Sequence, residues 1–267
     1  MLPGLQVPFP VSSDHRVRPD LARLEGPPFL LDHEYPRYHS AKLEAFAQEP
    51  SSALLSSALE PAGVRAALEW LWQQLPHAPG TKAAPEPNKK DLLELGKAAA
   101  LRVQEDLVLM HGTLLEALWV CFPSHWNPLE KIGRSFAEIH NPVPHSEKLR
   151  AAQHNVARAM SQKGPFVRYV WGLTFDSALS AHPSRPMLLS GERVYFRTER
   201  QVTLPLPELN RSWFLIRVYV APVETVANSP ERRAALREAL QTMPEAHRAY
   251  KPNTIAAYRW LEAQGFF

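Results

Sequence analysis

Apolar positions along the chain fall into runs of two different periods. From Val64 to Leu75 the residues Val64, Ala67, Leu68, Leu71, Trp72 and Leu75 recur at helical spacing, which predicts an amphipathic helix buried along one side. Asp91 is placed to cap a second helix through Leu92, Leu93, Leu95 and Ala98–Leu101 towards Val103. Residues 105–122 then become strand-like, two short apolar runs about Gly112, and read as a hairpin whose gap fits no standard two-residue turn neatly. Leu149, Ala152, Val156, Ala159 and Met160 share a face of a helix expected over His145–Gln162, stopped by Gly164-Pro165. Strands are expected at Phe166–Leu173, Arg193–Thr203 and Trp213–Val220; in the last, Phe214, Ile216, Val218 and Val220 alternate with Leu215, Arg217 and Tyr219. Ser229-Pro230 supplies an N-cap and a first-turn proline for a further helix, and a final one is expected near Thr254–Ala263.

This order lacks the strand–helix alternation of a doubly wound parallel sheet, and neither a P-loop nor a glycine-rich dinucleotide fingerprint occurs. The pattern predicts an α+β fold, a mostly antiparallel sheet with flanking helices. Residues 1–50 hold eight of the 26 prolines and little periodicity. They read as an extended arm with one short helix around Ser40–Ala47, part of the same unit as a single domain over 51–267. Residues 76–90 read as a loop and are the expected mobile segment.

Charge narrows the function classes. A formal net charge of +3, with basic and acidic residues mixed, argues against nucleic acid as a partner. One cysteine, Cys121, allows no intramolecular disulfide and no multi-cysteine zinc or iron–sulfur site. Met1–Pro10 lacks the pattern of a signal peptide, and no stretch approaches the roughly 20 apolar residues of a membrane span, so a cytoplasmic location is expected.

Trp119–Glu147 is the segment richest in chemistry, with two tryptophans, three histidines, four prolines and the cysteine in neither clean helix nor clean strand. A functional segment and a loop tucked over the core by its own aromatics are both open. His140, followed by Asn141-Pro142-Val143-Pro144, suits an axial metal ligand or a satisfied packing residue. His125, His140 and His145 lack a tight zinc spacing, His111 and His154 suit surface or packing roles, and Cys121 reads as a small buried hydrophobe. In YFRTERQ, alternation puts Arg197, Glu199 and Gln201 on one face of a strand and Thr198 and Arg200 on the other. Such polar groups either brace elements against each other or clamp a ligand carboxylate, and composition favours the brace.

The ordered set VCFPSHW (120–126), EKIG (130–133), EIHNPVP (138–144), VRYVW (167–171), FRTERQ (196–201), FLIRVYVAPVE (214–224) and AYK (249–251), preceded by DHEYPRY (32–38), resembles the haem subunit of the haem-dependent oxidative N-demethylases. The resemblance implies a PAS-like fold holding non-covalent haem b, with His140 as the iron ligand. It implies O2-dependent removal of a methyl group from a small methylated amine, with electrons from a separate flavin or iron–sulfur reductase. It also implies that Arg197, Arg200, Gln201 and Trp171 shape the cofactor pocket, while Glu199 and Tyr169 are the candidates to orient the amine. The sequence departs from the family pattern at Val170, where an asparagine is usual before the tryptophan. That departure leaves open a haem-binding sensor or carrier without turnover, and a third reading is an interaction domain that has lost its cofactor.

Overall fold

The computed structural model describes residues 4–13, 21–76 and 91–267, so most of the loop expected at 76–90 lies outside the described residues. The centre is a seven-stranded antiparallel sheet of β1 (Ala22–Arg23), β2 (Ala53–Leu55), β3 (Asp106–His111), β4 (Leu114–Trp119), β5 (Phe166–Thr174), β6 (Tyr195–Leu206) and β7 (Arg211–Pro222), in the order β1-β5-β6-β7-β3-β4-β2. The helices are α1 (Tyr35–Gln48), α2 (Pro61–Gln74), α3 (Leu92–Leu101), α4 (Phe136–His140), α5 (Glu147–Ala151), α6 (Gln153–Gln162), α7 (Val223–Val226), α8 (Pro230–Gln241), α9 (Glu245–Tyr250) and α10 (Pro252–Ala263). The predicted α+β class with an antiparallel sheet and flanking helices is what the chain adopts.

Strand alternation distributes the apolar residues between two faces. On one face Val108, Met110, Leu118, Ile216, Val218 and Val220 form a core with Trp126, Phe136, Ile139 and Val156. On the other, Leu107, Leu109, Trp119, Val202, Trp213 and Leu215 meet α2 and α3. Farther along that second face, Phe196, Leu173 and Ala221 meet α8, α10 and the apolar residues Val7, Phe9 and Val11 of the N-terminal arm.

Differences from the sequence reading have local causes. The first helix begins at Tyr35 rather than near Ser40 because Pro36 sits in its first turn, where a missing N–H costs nothing; Tyr35, Tyr38 and Lys42 then share its buried side. The 105–122 hairpin does close in two residues, His111 pairing with Leu114 around Gly112-Thr113, with Gly112 at φ +53°. A register shift between Leu109 and Met110 breaks the alternation that would have shown it. The helix expected over His145–Gln162 is interrupted at Ala152, giving α5 and α6.

β7 runs on past β3, whose pairing stops at Asp106 opposite Ile216. There α1 fills the gap: the Tyr38 hydroxyl donates to the Val218 carbonyl. Lys42, fully buried, donates to the carbonyls of Ala100 (3.0 Å) and Glu105 and lies 3.7 Å from Asp106.

α3 approaches the sheet closely at Gly96. A Cβ added to Gly96 would lie 1.9 Å from Cε2 of the fully buried Trp119, whose indole N–H is held at 3.0 Å by the Leu93 carbonyl. Gly96→Ala is therefore expected to destabilise the protein by about 1–3 kcal/mol through overpacking, although alanine is the better helix former by about 1 kcal/mol. Urea unfolding checks this; a gain in stability would show that helix and sheet are not in this contact.

Candidate functional site

His140 is the last residue of α4. Ser135 caps this short helix, its hydroxyl accepting from Glu138 N while the Glu138 carboxylate accepts from Ser135 N at 2.8 Å. At the other end Lys131 Nζ donates to the Ile139 carbonyl at 3.1 Å, and Ser146 Oγ donates to the His140 carbonyl at 2.9 Å. A helix of one and a half turns would fray without these caps. The imidazole Nδ1 is 2.8 Å from the Phe136 carbonyl. Because a carbonyl only accepts, Nδ1 carries the proton, and Nε2 keeps its lone pair with no protein partner among the described residues. The ring also packs on Phe136, centroids 4.1 Å apart. Burial lowers the imidazole pKa below the usual histidine value; the bond to Phe136 works against this, and the charges of Arg168 and Lys131 work with it. A half-buried imidazole kept neutral, with its tautomer fixed, has the form of a metal ligand.

α4 packs with Phe136 and Ile139 on the face of the sheet that carries Arg197, Glu199 and Gln201 of β6. Ser124 joins them: Arg197 Nε donates to Ser124 Oγ at 2.9 Å, Ser124 Oγ donates to Glu199, and Gln201 Nε2 donates to the other Glu199 oxygen at 2.8 Å. Arg197 also donates to the carbonyls of Ala178 (3.3 Å) and Phe122 (3.2 Å). Its guanidinium is thus used up in bracing the 120–124 segment to the sheet. In register beside Gln201 and Glu199 on the same face stand Arg168 and Val170.

The structure brings His140, Arg197, Glu199 and Gln201 to one face and leaves Arg200, Trp171 and Tyr169 on the other. The reason is the two-residue period of β5 and β6. Arg200 donates to the carbonyls of Pro28 (2.8 Å) and Pro27 (3.0 Å), holding the N-terminal arm. Trp171 stacks on Phe196 with centroids 5.9 Å apart, inside the core made with the C-terminal helices. Tyr169 is 37% exposed.

Four residues given no role from sequence belong to this arrangement: Ser124, Lys131, Arg168 and Lys251. Each lies in a motif of the resemblance, and for Arg168 alternation with Gln201's strand was a further signal. Lys251 Nζ donates to the Trp171 carbonyl at 2.9 Å on the β5 edge; burial lowers its pKa, while the charge of Glu199 raises it. His125, at φ +62°, accepts from Asn253 Nδ2 at 3.0 Å, and His145, at φ +57°, stacks on His247 with centroids 5.4 Å apart. Both histidines tie the 120–147 segment to α9 and α10. No three histidine, cysteine or carboxylate groups among the described residues converge as a metal site, which leaves the zinc reading without support. Burial, reinforced by the charge of Asp106, pushes the Cys121 thiol well above its ordinary pKa, which favours the thiol over the thiolate. An open groove of about 790 Å³ lined by Met243, Arg248, Ile255 and Arg259 lies on α9 and α10 and contains none of these groups. Among the described residues no helix is long and apolar enough to cross a membrane.

A family model described as haem-dependent oxidative N-demethylase, alpha subunit-like, matches residues 80–259, about two thirds of the chain. No curated protein matches it at a significant level. The matched span holds every motif of the site except DHEYPRY. The geometry at His140 gives a direct test in the protein without added ligand. Its pKa is depressed, so the imidazole is neutral at pH 7, the unfolded chain binds the proton first, and native stability falls as pH drops below about 6.5. The His140 ring resonance should titrate below that value by NMR; a midpoint at or above it contradicts the buried, Phe136-bonded ring.

Proposed function

The chain belongs to the haem-dependent oxidative N-demethylase alpha-subunit-like family, and from that premise we propose that it binds haem b through His140 Nε2 and serves an oxidative N-demethylase acting on small methylated amines. The observation that carries this is the His140 imidazole itself: neutral, half-buried, bonded through Nδ1 to Phe136, and fixed on a helix capped at both ends. The residues around it fit the group. A haem brings two carboxylates, and Arg168 and Lys131, whose charges reach His140, supply cations on that side. Arg197, by contrast, is committed to Ser124 and two backbone carbonyls.

Bound haem supplies the activation of O2 needed to oxidise an N-methyl carbon. The protein's own share is positional. Glu199, only 9% exposed and held by Ser124 and Gln201, presents a fixed carboxylate on the His140 face and pairs with the ammonium of the amine. Tyr169, on the opposite face, is poorly placed for that task. The 120–147 segment, fastened by Arg197, His125 and His145, keeps bulk water from the face it covers. Electrons come from a separate reductase. A second reading, haem binding without turnover, rests on Val170, which stands in register with Glu199 and puts an apolar group beside the carboxylate.

Reconstitution with haemin separates these readings. Wild type should take up one haem with a histidine-ligated spectrum, and His140→Ala should lose it or shift it; a wild type that binds no haem ends the proposal. With a surrogate reductase, methylated amines should release formaldehyde. Glu199→Gln should lower kcat/KM by roughly 10- to 100-fold, the loss of one charge-assisted hydrogen bond of about 1.5–3 kcal/mol, with haem content unchanged. Haem uptake without formaldehyde release or a substrate-induced spectral change favours the sensor reading.

A further inference from the structure

Charge is unevenly placed along this chain. Residues 131–168 hold seven lysines and arginines against two glutamates, a net +5, whereas the other 229 residues hold 23 basic against 25 acidic residues, a net −2. The basic segment is also the one that folds into α4, α5 and α6 around His140. Its exposed side carries Lys148, His154, Arg158 and Lys163 together with Arg134, against two exposed carboxylates, Glu138 and Glu147. Arg134 is 3.5 Å from Glu138, but Lys148, Arg158 and Lys163 have no carboxylate partner among the described residues. Exposed cations normally lie among acids that neutralise them, and here the neighbouring acids are too few.

We propose that the exposed side of α5 and α6 is the docking surface for an acidic protein that delivers electrons one at a time. The inference rests on the function proposed above, since an oxidation by O2 at haem consumes electrons, and the single cysteine rules out an iron–sulfur cluster held by this chain alone. Location supports it. α5 and α6 follow the His140 helix directly, and α4 packs against both, so a partner seated there lies within one helical layer of the ligand. Surface composition identifies the class of partner. Residues 141–165 contain no phenylalanine, tyrosine or tryptophan, so the stacking groups a single-stranded nucleic acid needs are missing. The apolar residues of α6, Val156, Ala157 and Met160, are turned into the core, leaving no apolar face to enter a membrane. What remains is a polar surface with a net excess of cations, three of them without a carboxylate partner among the described residues, suited to steering an acidic globular protein.

The test uses the haem-loaded protein and a plant-type [2Fe–2S] ferredoxin as the acidic donor. By stopped flow, the second-order rate of haem reduction should fall about tenfold between low and high salt. K148E/R158E/K163E should fall about tenfold at low salt while dithionite, a small reductant, reduces both proteins at one rate. A rate that ignores both salt and charge reversal overturns the inference. So does binding of phosphatidylserine vesicles or single-stranded DNA that the triple variant abolishes, if ferredoxin does not bind. Anisotropy of labelled ferredoxin, measured with and without haem, keeps the two proposals apart. Salt-sensitive binding lost in the variant upholds the docking surface even if haem uptake fails, and absent binding overturns it even if haem uptake succeeds.

Discussion

The middle of β6 and β7 must bury charge on both sides of the sheet. Arg197, Glu199, Arg200 and Arg217 lie within the two central strands, each at most 9% exposed, and an unpaired buried charge costs several kcal/mol. Apart from Gln201, which donates to Glu199 along β6, the sheet offers them little, because its own N–H and C=O groups are spent on the ladder. Every one of these side chains therefore requires a segment from elsewhere in the chain. On one face Arg200 takes the carbonyls of Pro27 and Pro28, while Arg217 takes the Leu30 carbonyl and Asp32 at 2.5 Å. On the other, Arg197 and Glu199 take Ser124 and the carbonyls of Phe122 and Ala178. The arm and the 120–147 segment are thus held by the same two strands from opposite sides.

That requirement explains why the recognisable motifs occur as a set. DHEYPRY meets FLIRVYVAPVE through Asp32–Arg217 and Tyr38–Val218. VCFPSHW meets FRTERQ through Ser124, and AYK meets VRYVW through Lys251 and the Trp171 carbonyl. EKIG meets EIHNPVP through Lys131, which caps the His140 helix. Each motif on its own is a few residues of modest specificity. Paired, they are the two halves of buried polar contacts, and a change in either half strands the other.

The same logic marks where sequence could and could not be read. The helix α2, with its clean apolar stripe, and the strands β6 and β7 were legible because period alone determines their faces, while α8 was legible from its Ser229-Pro230 start. The face split within β6 was equally legible, and it already separated Arg197, Glu199 and Gln201 from Arg200; the split within β5, which sets Tyr169 and Trp171 apart from Glu199, was not drawn. What period cannot show is which face meets which segment. Nothing local links Ser124 to Glu199 across 75 positions or Lys251 to Trp171 across 80. α4 escaped notice for a related reason: five residues carry no period, and its stability lies in the caps from Ser135, Lys131 and Ser146, not in propensity.

His140 combines both kinds of information. Its chemistry, a histidine ahead of a proline pair, was visible in the sequence, but a lone histidine has many bland uses. The fold supplies what distinguishes it: a carbonyl four residues back that takes the Nδ1 proton, burial that keeps the ring neutral, and a position over the sheet face where the Glu199 carboxylate also stands. With Nδ1 committed to the Phe136 carbonyl, Nε2 is the nitrogen of this ring that has no protein partner among the described residues. The short helix, its three caps and the braced segment leading to it make structural sense together if that nitrogen is held for a ligand.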